Sequence, residues 1–331
     1  MSVAPAPHVV ARNIRAAQAG DGPESADMAA ALKLASRLVA DCTAADYPTI
    51  DWCAGVFRSA DGAADMVVVS NAGFGYVPAG VYVPRTARVI GSDPLVDEAF
   101  RNRWFGWADP ARILIEYGRL RPEGWRLVAA ATTTDDVDAL RDNGIEYRIA
   151  QRPDSPNLLS RPMLDADHQH RLELEHRDLH ERLTPLLDAD LERWMRERVA
   201  VPLGQAAVHS LVSSGVDCPD ELRVVWRALM DEQRTPTQAE WGAFSDRCRG
   251  AYLEPDFSRP VGDPLPGMSS RPQAVYEKPW RLARTMELVL SWYADPPVLP
   301  LADMAYAAAA AGVDVRAVLS EPLRLVESHL R

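Results

Sequence analysis

Lysine is almost missing from this sequence: among 331 residues it occurs only as Lys33 and Lys278, and the other basic side chains are arginine. A positive excess is missing too, since the net charge is -11 and the pI about 5.2. That excludes a general binder of nucleic acid or of anionic membranes, both of which need a cationic face. Long apolar runs are lacking. A membrane-spanning helix needs about 18 apolar residues or more, and the stretch Ala305 to Ala311 is short and flanked by Asp303 and Asp314. Cysteine is scarce: Cys42, Cys53, Cys218 and Cys248 are scattered, with no C-x-x-C pair, which argues against a disulfide framework and suits a reducing cytoplasm. No segment combines a basic start, an apolar stretch and a small-residue cleavage site. There is no G-x-S-x-G elbow, no H-E-x-x-H and no P-loop.

What is present is globular: 47% apolar and 25% charged residues supply a core and exclude wholesale disorder. The length predicts two domains. Residues 1–22 read as a loosely attached arm, 23–152 as an α+β domain and 153–162 as a linker. Residues 163–331 read as an all-α domain with a proline-rich surface loop at 253–279. The expected fold class is thus a small, mainly antiparallel sheet with flanking helices, followed by a helical domain.

The most strongly patterned stretch runs from Ile50 to Pro84. Ahead of it, Ser25 caps a helix whose apolar stripe is Met28, Leu32, Ala35, Leu38 and Cys42. Ile50, Trp52, Ala54 and Val56 alternate with Asp51, Cys53 and Gly55, predicting a half-buried strand. Asp61-Gly62 supplies the turn and Met66 to Val69 the returning strand. Three glycines and two prolines force the segment from Gly73 to Pro84 along an irregular path. Asp93-Pro94 and Asp109-Pro110 each place a capping carboxylate before a proline suited to a first helical turn. Beyond the linker the period becomes 3.6, with Pro185, Pro202, Pro219, Pro236 and Pro279 placed as helix starts.

Two clusters could carry chemistry. Around Asp167 to His180, helical spacing puts His176 and His180 on one face with Glu173 a turn earlier, a weak metal-site pattern with no second Glu-x-x-His partner. A solvated or packed helix face accounts for it as well. Arginines and aromatics interleave from Arg101 to Arg126, and Trp104 and Trp107 fit a protein-binding rim better than a nucleic-acid platform. Gly73-x-Gly75 follows a strand, yet Pro78 and Gly80 leave no helix start to hold a pyrophosphate, so a nucleotide fingerprint is rejected. No cofactor is expected and no catalytic residue stands out.

The ordered features Trp52-x-x-Gly55-Val56, Asp61-Gly62, Val67-Val68-Val69-Ser70 and Gly73-Phe74-Gly75-Tyr76-Val77-Pro78-x-Gly80-Val81-x-Val83-Pro84 resemble the C-terminal module of actinobacterial secretion-associated proteins of the EspK type. Those proteins accompany the type VII (ESX) system. Trp104-Phe105-Gly106 and Tyr47-Pro48-Thr49-Ile50-Asp51 fit the W-x-G and Y-x-x-x-D strings of that system but stand outside a helical hairpin, and are read as coincidental. The resemblance implies a non-enzymatic, chaperone-like accessory protein that binds a type VII substrate or component. It would be cytoplasmic and would not insert in the membrane; export without a signal peptide and homo-oligomerisation stay open. Phe74, Tyr76, Trp104 and Trp107 are the expected partner contacts, the first two on an exposed loop. The competing expectation is a hydrolase-like or metal-dependent enzyme with its site between the two domains, His168 or His176 included.

Overall fold

The strand β1 (Trp52–Arg58) lies at the centre of a five-stranded mixed sheet and pairs antiparallel on both sides. Its hairpin partner β2 (Ala64–Ser70) returns through Asp61-Gly62, where Gly62 takes φ 89°. Across β1 lies β5 (Arg126–Thr132). The edges are parallel: β4 (Ala87–Val89) beside β2, and β6 (Glu146–Ile149) beside β5. A separate two-stranded pairing joins β3 (Val83–Pro84) to β7 (His168–Gln169). The structure, a computed structural model, describes residues 24–155, 163–184, 196–262, 264, 271–293 and 300–329. The arm and most of the linker expected from the sequence lie outside these.

Alternation predicted a half-buried β1, but Trp52 to Phe57 are all buried. Both faces of the strand are covered. Helix α1 (Ala26–Ala44) joins the cluster of Trp52, Ala54 and Val56, while Cys53 and Phe57 belong to a second cluster under α2 (Glu98–Trp104), α3 (Pro110–Gly118) and α4 (Asp138–Asp142). Gly55 is required on that second face, because a Cβ there would stand 2.5 Å from the Leu114 side chain. Ser25 caps α1 as expected: its hydroxyl accepts from Met28 N and donates to Glu146 Oε2 at 2.6 Å, tying the helix start to β6. Asp109 caps α3 ahead of Pro110. The other Asp-Pro pair does not start a helix: Asp93 accepts from Leu95 N in a turn, and Asp97 caps α2 instead.

The rest is helical, as expected. Among the described residues α5 (Arg171–Glu175) and α6 (Arg177–Leu183) are followed by a π turn (Arg196–Ala200) leading into α7 (Val201–Ser213). Then come α8 (Asp220–Met230), α9 (Gln238–Leu253), α10 (Arg271–Leu290), α11 (Leu301–Ala310) and α12 (Val315–His329). Thr237, one residue past Pro236, caps α9 through a reciprocal pairing with Glu240. Pro279, expected at a helix start, lies inside α10, so the loop predicted over 253–279 is shorter: it begins with a 3-10 turn (Glu254–Ser258) and ends by Arg271. Pro185 lies outside the described residues. One apolar cluster runs without a break from α1 and the inner sheet face to α5–α12. Among the described residues no helix is long and apolar enough to cross a membrane.

Candidate functional site

The loop from Gly73 to Pro84 is irregular because Gly73, Gly75 and Gly80 take φ of 54°, 72° and 77°, a region that disfavours other residues. An irregular segment leaves backbone donors to satisfy, and here side chains from distant helices supply the acceptors. Tyr276 Oη accepts from Gly73 N at 2.8 Å, and Tyr306 Oη accepts from Val77 N at 3.0 Å. Tyr76 donates its hydroxyl to Glu287 Oε2 at 2.6 Å. Tyr276, Trp280, Arg284 and Glu287 recur at helical spacing, which puts them on one face of α10. Gly73 has a second reason to be glycine, as a Cβ would lie 2.7 Å from the Trp280 ring. Gly106 does the same for Tyr276, at 2.2 Å, so the W-x-G string serves internal packing.

Behind the loop lies a buried charge cluster. Arg171, only 2% exposed, donates to Glu287 Oε1 and to Asp303 Oδ1, both at 2.6 Å, and to Tyr76 Oη at 3.1 Å. Arg284 stands 2.7 Å from Glu287 Oε2, with its guanidinium 4.3 Å from the Tyr76 ring centre and 4.7 Å from that of Trp280. Two cations thus face two carboxylates, which is what makes burial tolerable. Burial alone would raise both acids, but the arginines outweigh it. Arg284 and Arg171 hold Glu287 below its ordinary range, and Arg171 with His170 holds Asp303 well below.

Two cavities flank this arrangement, and Tyr76 and Trp280 line both. The larger, of about 450 Å³, is walled by Phe74, Tyr76, Phe105, Trp280 and Tyr306. That volume is in the range of ligand pockets. Glu175 also lines it and makes no hydrogen bond or ion pair among the described residues; burial pushes its carboxyl up to about 7, against the pull of Arg101 and Arg171. The smaller, of about 220 Å³, is bounded by the end of α1, the end of α9 and α10.

The expected partner contacts separate in this frame. Phe74 is half-buried at the larger cavity, edge-on to Phe100 at 5.9 Å. Tyr76 was expected at the surface but is 3% exposed, because its hydroxyl is drawn inward by Glu287 and Arg171. Trp104 and Trp107 are buried too, stacked edge-on at 5.9 Å in the outer core. Trp107 Nε1 donates to Gly262 O at 2.8 Å and Ala108 N to Pro260 O at 2.9 Å, so the proline-rich segment docks on the turn after α2. Phe257 and Val261 of that segment remain exposed.

The histidine cluster is also rearranged. The predicted single helix breaks at His176, whose φ of -137° ends α5 and precedes α6, so His176 and His180 do not share a continuous face. Glu173 turns to Arg85, accepting at 2.5 and 3.1 Å, and is thereby held low. His180 stacks on His170 at 5.1 Å, while His168 meets Asp165. Among the described residues no group of three or more His, Cys, Asp or Glu is placed to hold a metal. Sequence reasoning missed Arg171, Tyr276, Arg284, Glu287 and Tyr306. The spacing of the α10 residues was visible, but nothing in it named the loop as their target.

Residues 40–246, more than half the chain, match the family model described as the EspK C-terminal domain. The chain belongs to this family. No curated protein matches it in sequence. An EspK-type domain makes this a type VII secretion-associated protein, in agreement with the resemblance carried by the stretch from Trp52 to Pro84. Tyr276, Glu287 and Tyr306, which hold the loop, lie beyond the matched residues of the EspK-type domain.

Proposed function

We propose that this EspK-type protein is a non-enzymatic, chaperone-like accessory factor that binds a partner protein at the larger cavity, with Phe74 as the anchor at its rim. The observation that carries the reading is the rigid mounting of an aromatic-walled cavity on a loop tied to α10 and α11 by three buried side chains. Half-exposed aromatics in pre-organised pockets are the usual energetic centres of protein interfaces. The family match supports taking the partner to be a secreted substrate or component of the type VII system. The four free cysteines, with Cys42 and Cys248 pushed up to about 12 by burial, suit work in a reducing cytoplasm.

The test is binding of purified type VII substrates by calorimetry. Phe74→Ala should weaken the affinity at least about tenfold while leaving the melting temperature within a few degrees, as for an anchor residue. Equal affinity in parent and variant would overturn the assignment.

One observation favours a second reading, an enzyme with its site between the sheet region and the helices. Glu175, raised to about 7 and unpartnered in the larger cavity, has the protonation behaviour of a general acid or base. Hydrolase activity abolished by Glu175→Gln would support it over the binding role.

A further inference from the structure

The larger cavity holds two charged side chains, Glu175 and Arg101, that no opposite charge touches among the described residues. Glu175 ends α5 just before the chain breaks at His176, and Arg101 stands on α2. The Arg101 guanidinium lies 5.7 Å from the Phe74 ring centre and donates through Nη2 to Gly91 O. Its Nε and Nη1 have no acceptor among the described residues. Arg101 acts on Glu175 only through space, with no hydrogen bond between them. Yet both side chains reach the same spot: a Cβ placed on Gly91 would lie 3.7 Å from Glu175 Oε1 and 3.9 Å from Arg101 Nη1. They stand too far apart to pair and near enough to hold one small polar group between them.

The other charged groups nearby are engaged. Glu277 accepts from Arg281 at 2.6 and 2.9 Å, and Arg281 also donates to Ser210 Oγ and Ala311 O. Arg171, the other cation near Glu175, is committed to Glu287 and Asp303. With Arg101 and Arg281 set against Glu175 and Glu277, the charge of the wall balances. A cation entering would meet Arg101 and an anion would meet Glu175, so neither is favoured. A neutral group that presents one donor and one acceptor satisfies both. Beside it, Phe74, Tyr76, Phe105, Trp280 and Tyr306 offer an aromatic surface for an apolar body. The volume of about 450 Å³ is that of roughly fifteen waters at ~30 Å³ each, room for more than one small group.

We infer that this cavity takes a peptide unit of an extended partner segment, its N–H donated to Glu175, its C=O accepting from Arg101, and the adjoining apolar side chain set against the aromatic wall. The inference rests on the partner reading of this cavity and adds which part of the partner enters it. Affinity then comes from main chain and one apolar side chain, so recognition tolerates differences in sequence among partners.

The test titrates the full chain at pH 8, above the value of about 7 to which burial pushes Glu175. The probes are N-methyl-3-phenylpropanamide, which carries a single peptide unit, and methyl 3-phenylpropanoate, read by calorimetry and tryptophan fluorescence. The two share shape and neutrality, and the ester lacks the N–H. The amide should bind about tenfold tighter, the worth of a hydrogen bond to a charged acceptor. Glu175→Met should bring the amide down to the ester, and Arg101→Met should weaken both about two- to tenfold. The 3-phenylpropanoate anion and the 3-phenylpropylamine cation, which put a charge on the same apolar body, should bind more weakly than the amide. Equal affinity of the parent protein for amide and ester, tighter binding of either ion, or no saturable uptake of the amide would overturn the inference, and none of these readings depends on a variant that folds. Failure of the partner reading looks different: the amide would still be preferred to the ester, while type VII substrates bound the parent and Phe74→Ala equally.

Discussion

Arg171 carries a full charge into the core and is held there by Glu287, Asp303 and the Tyr76 hydroxyl. Removing one partner of such a cluster leaves the others buried and uncompensated, so Arg171→Met should cost about 3–5 kcal/mol at pH 7. The pH dependence has a definite sign. Glu287 and Asp303 are held low in the fold, so their contribution is present above the unfolded values near ~4 and is lost as pH falls through the folded values. Without the cation, burial raises Glu287, and the deficit of the variant should narrow as pH falls toward 4; denaturant titrations across that range would check it. Glu175 has the opposite sign. Its folded value of about 7 exceeds its ordinary 4.5, so stability is full below that ordinary value and declines as pH rises to the folded one. Glu175→Gln should therefore melt at the same temperature as the parent near pH 4.5 and higher than the parent above pH 7, as followed by thermal melts.

At the scale of elements, the contact that decides the site is that of α10 with the loop from Gly73 to Pro84. The loop contributes φ-positive glycines and the helix contributes a face of large side chains, so each is shaped for close approach to the other. Gly73→Ala combines a φ of 54° with a Cβ 2.7 Å from the Trp280 ring. The strained backbone alone costs about 1–2 kcal/mol for a non-glycine residue, and the ring must also move. The variant should be less stable by at least that amount, measured by chemical denaturation, and should lose the fixed Trp280 environment seen in near-ultraviolet circular dichroism. The break at His176 is a second element-scale outcome. It frees α5 to point Arg171 into the core and leaves Glu173 beside Arg85 on β3's flank.

For the whole molecule, one apolar cluster joins α1, the inner sheet face and α5–α12, and the loop's hydrogen-bond acceptors come from α10 and α11. A chain ended after Asp246, where the family match stops, would lack Tyr276, Glu287 and Tyr306 and would expose the core beneath them. It should not unfold cooperatively, and calorimetry should register no single sharp transition. The net charge of -11 keeps the surface repulsive to polyanions.

The sequence by itself determined the local elements: Ser25 and Asp109 cap helices, Asp61-Gly62 turns the hairpin, and periods of two and then 3.6 separate the sheet region from the helical one. These follow from backbone stereochemistry and side-chain spacing within a few residues. The family stretch from Trp52 to Pro84 was legible for the same reason. What only the tertiary structure decided is which polar side chains meet across long separations: Arg171 with Glu287, Tyr276 with Gly73, and Tyr47 beside Tyr252. Such meetings depend on how helices cross the sheet, and burial then reversed the expected roles, drawing Tyr76, Trp104 and Trp107 inward and leaving Phe74 at the cavity rim.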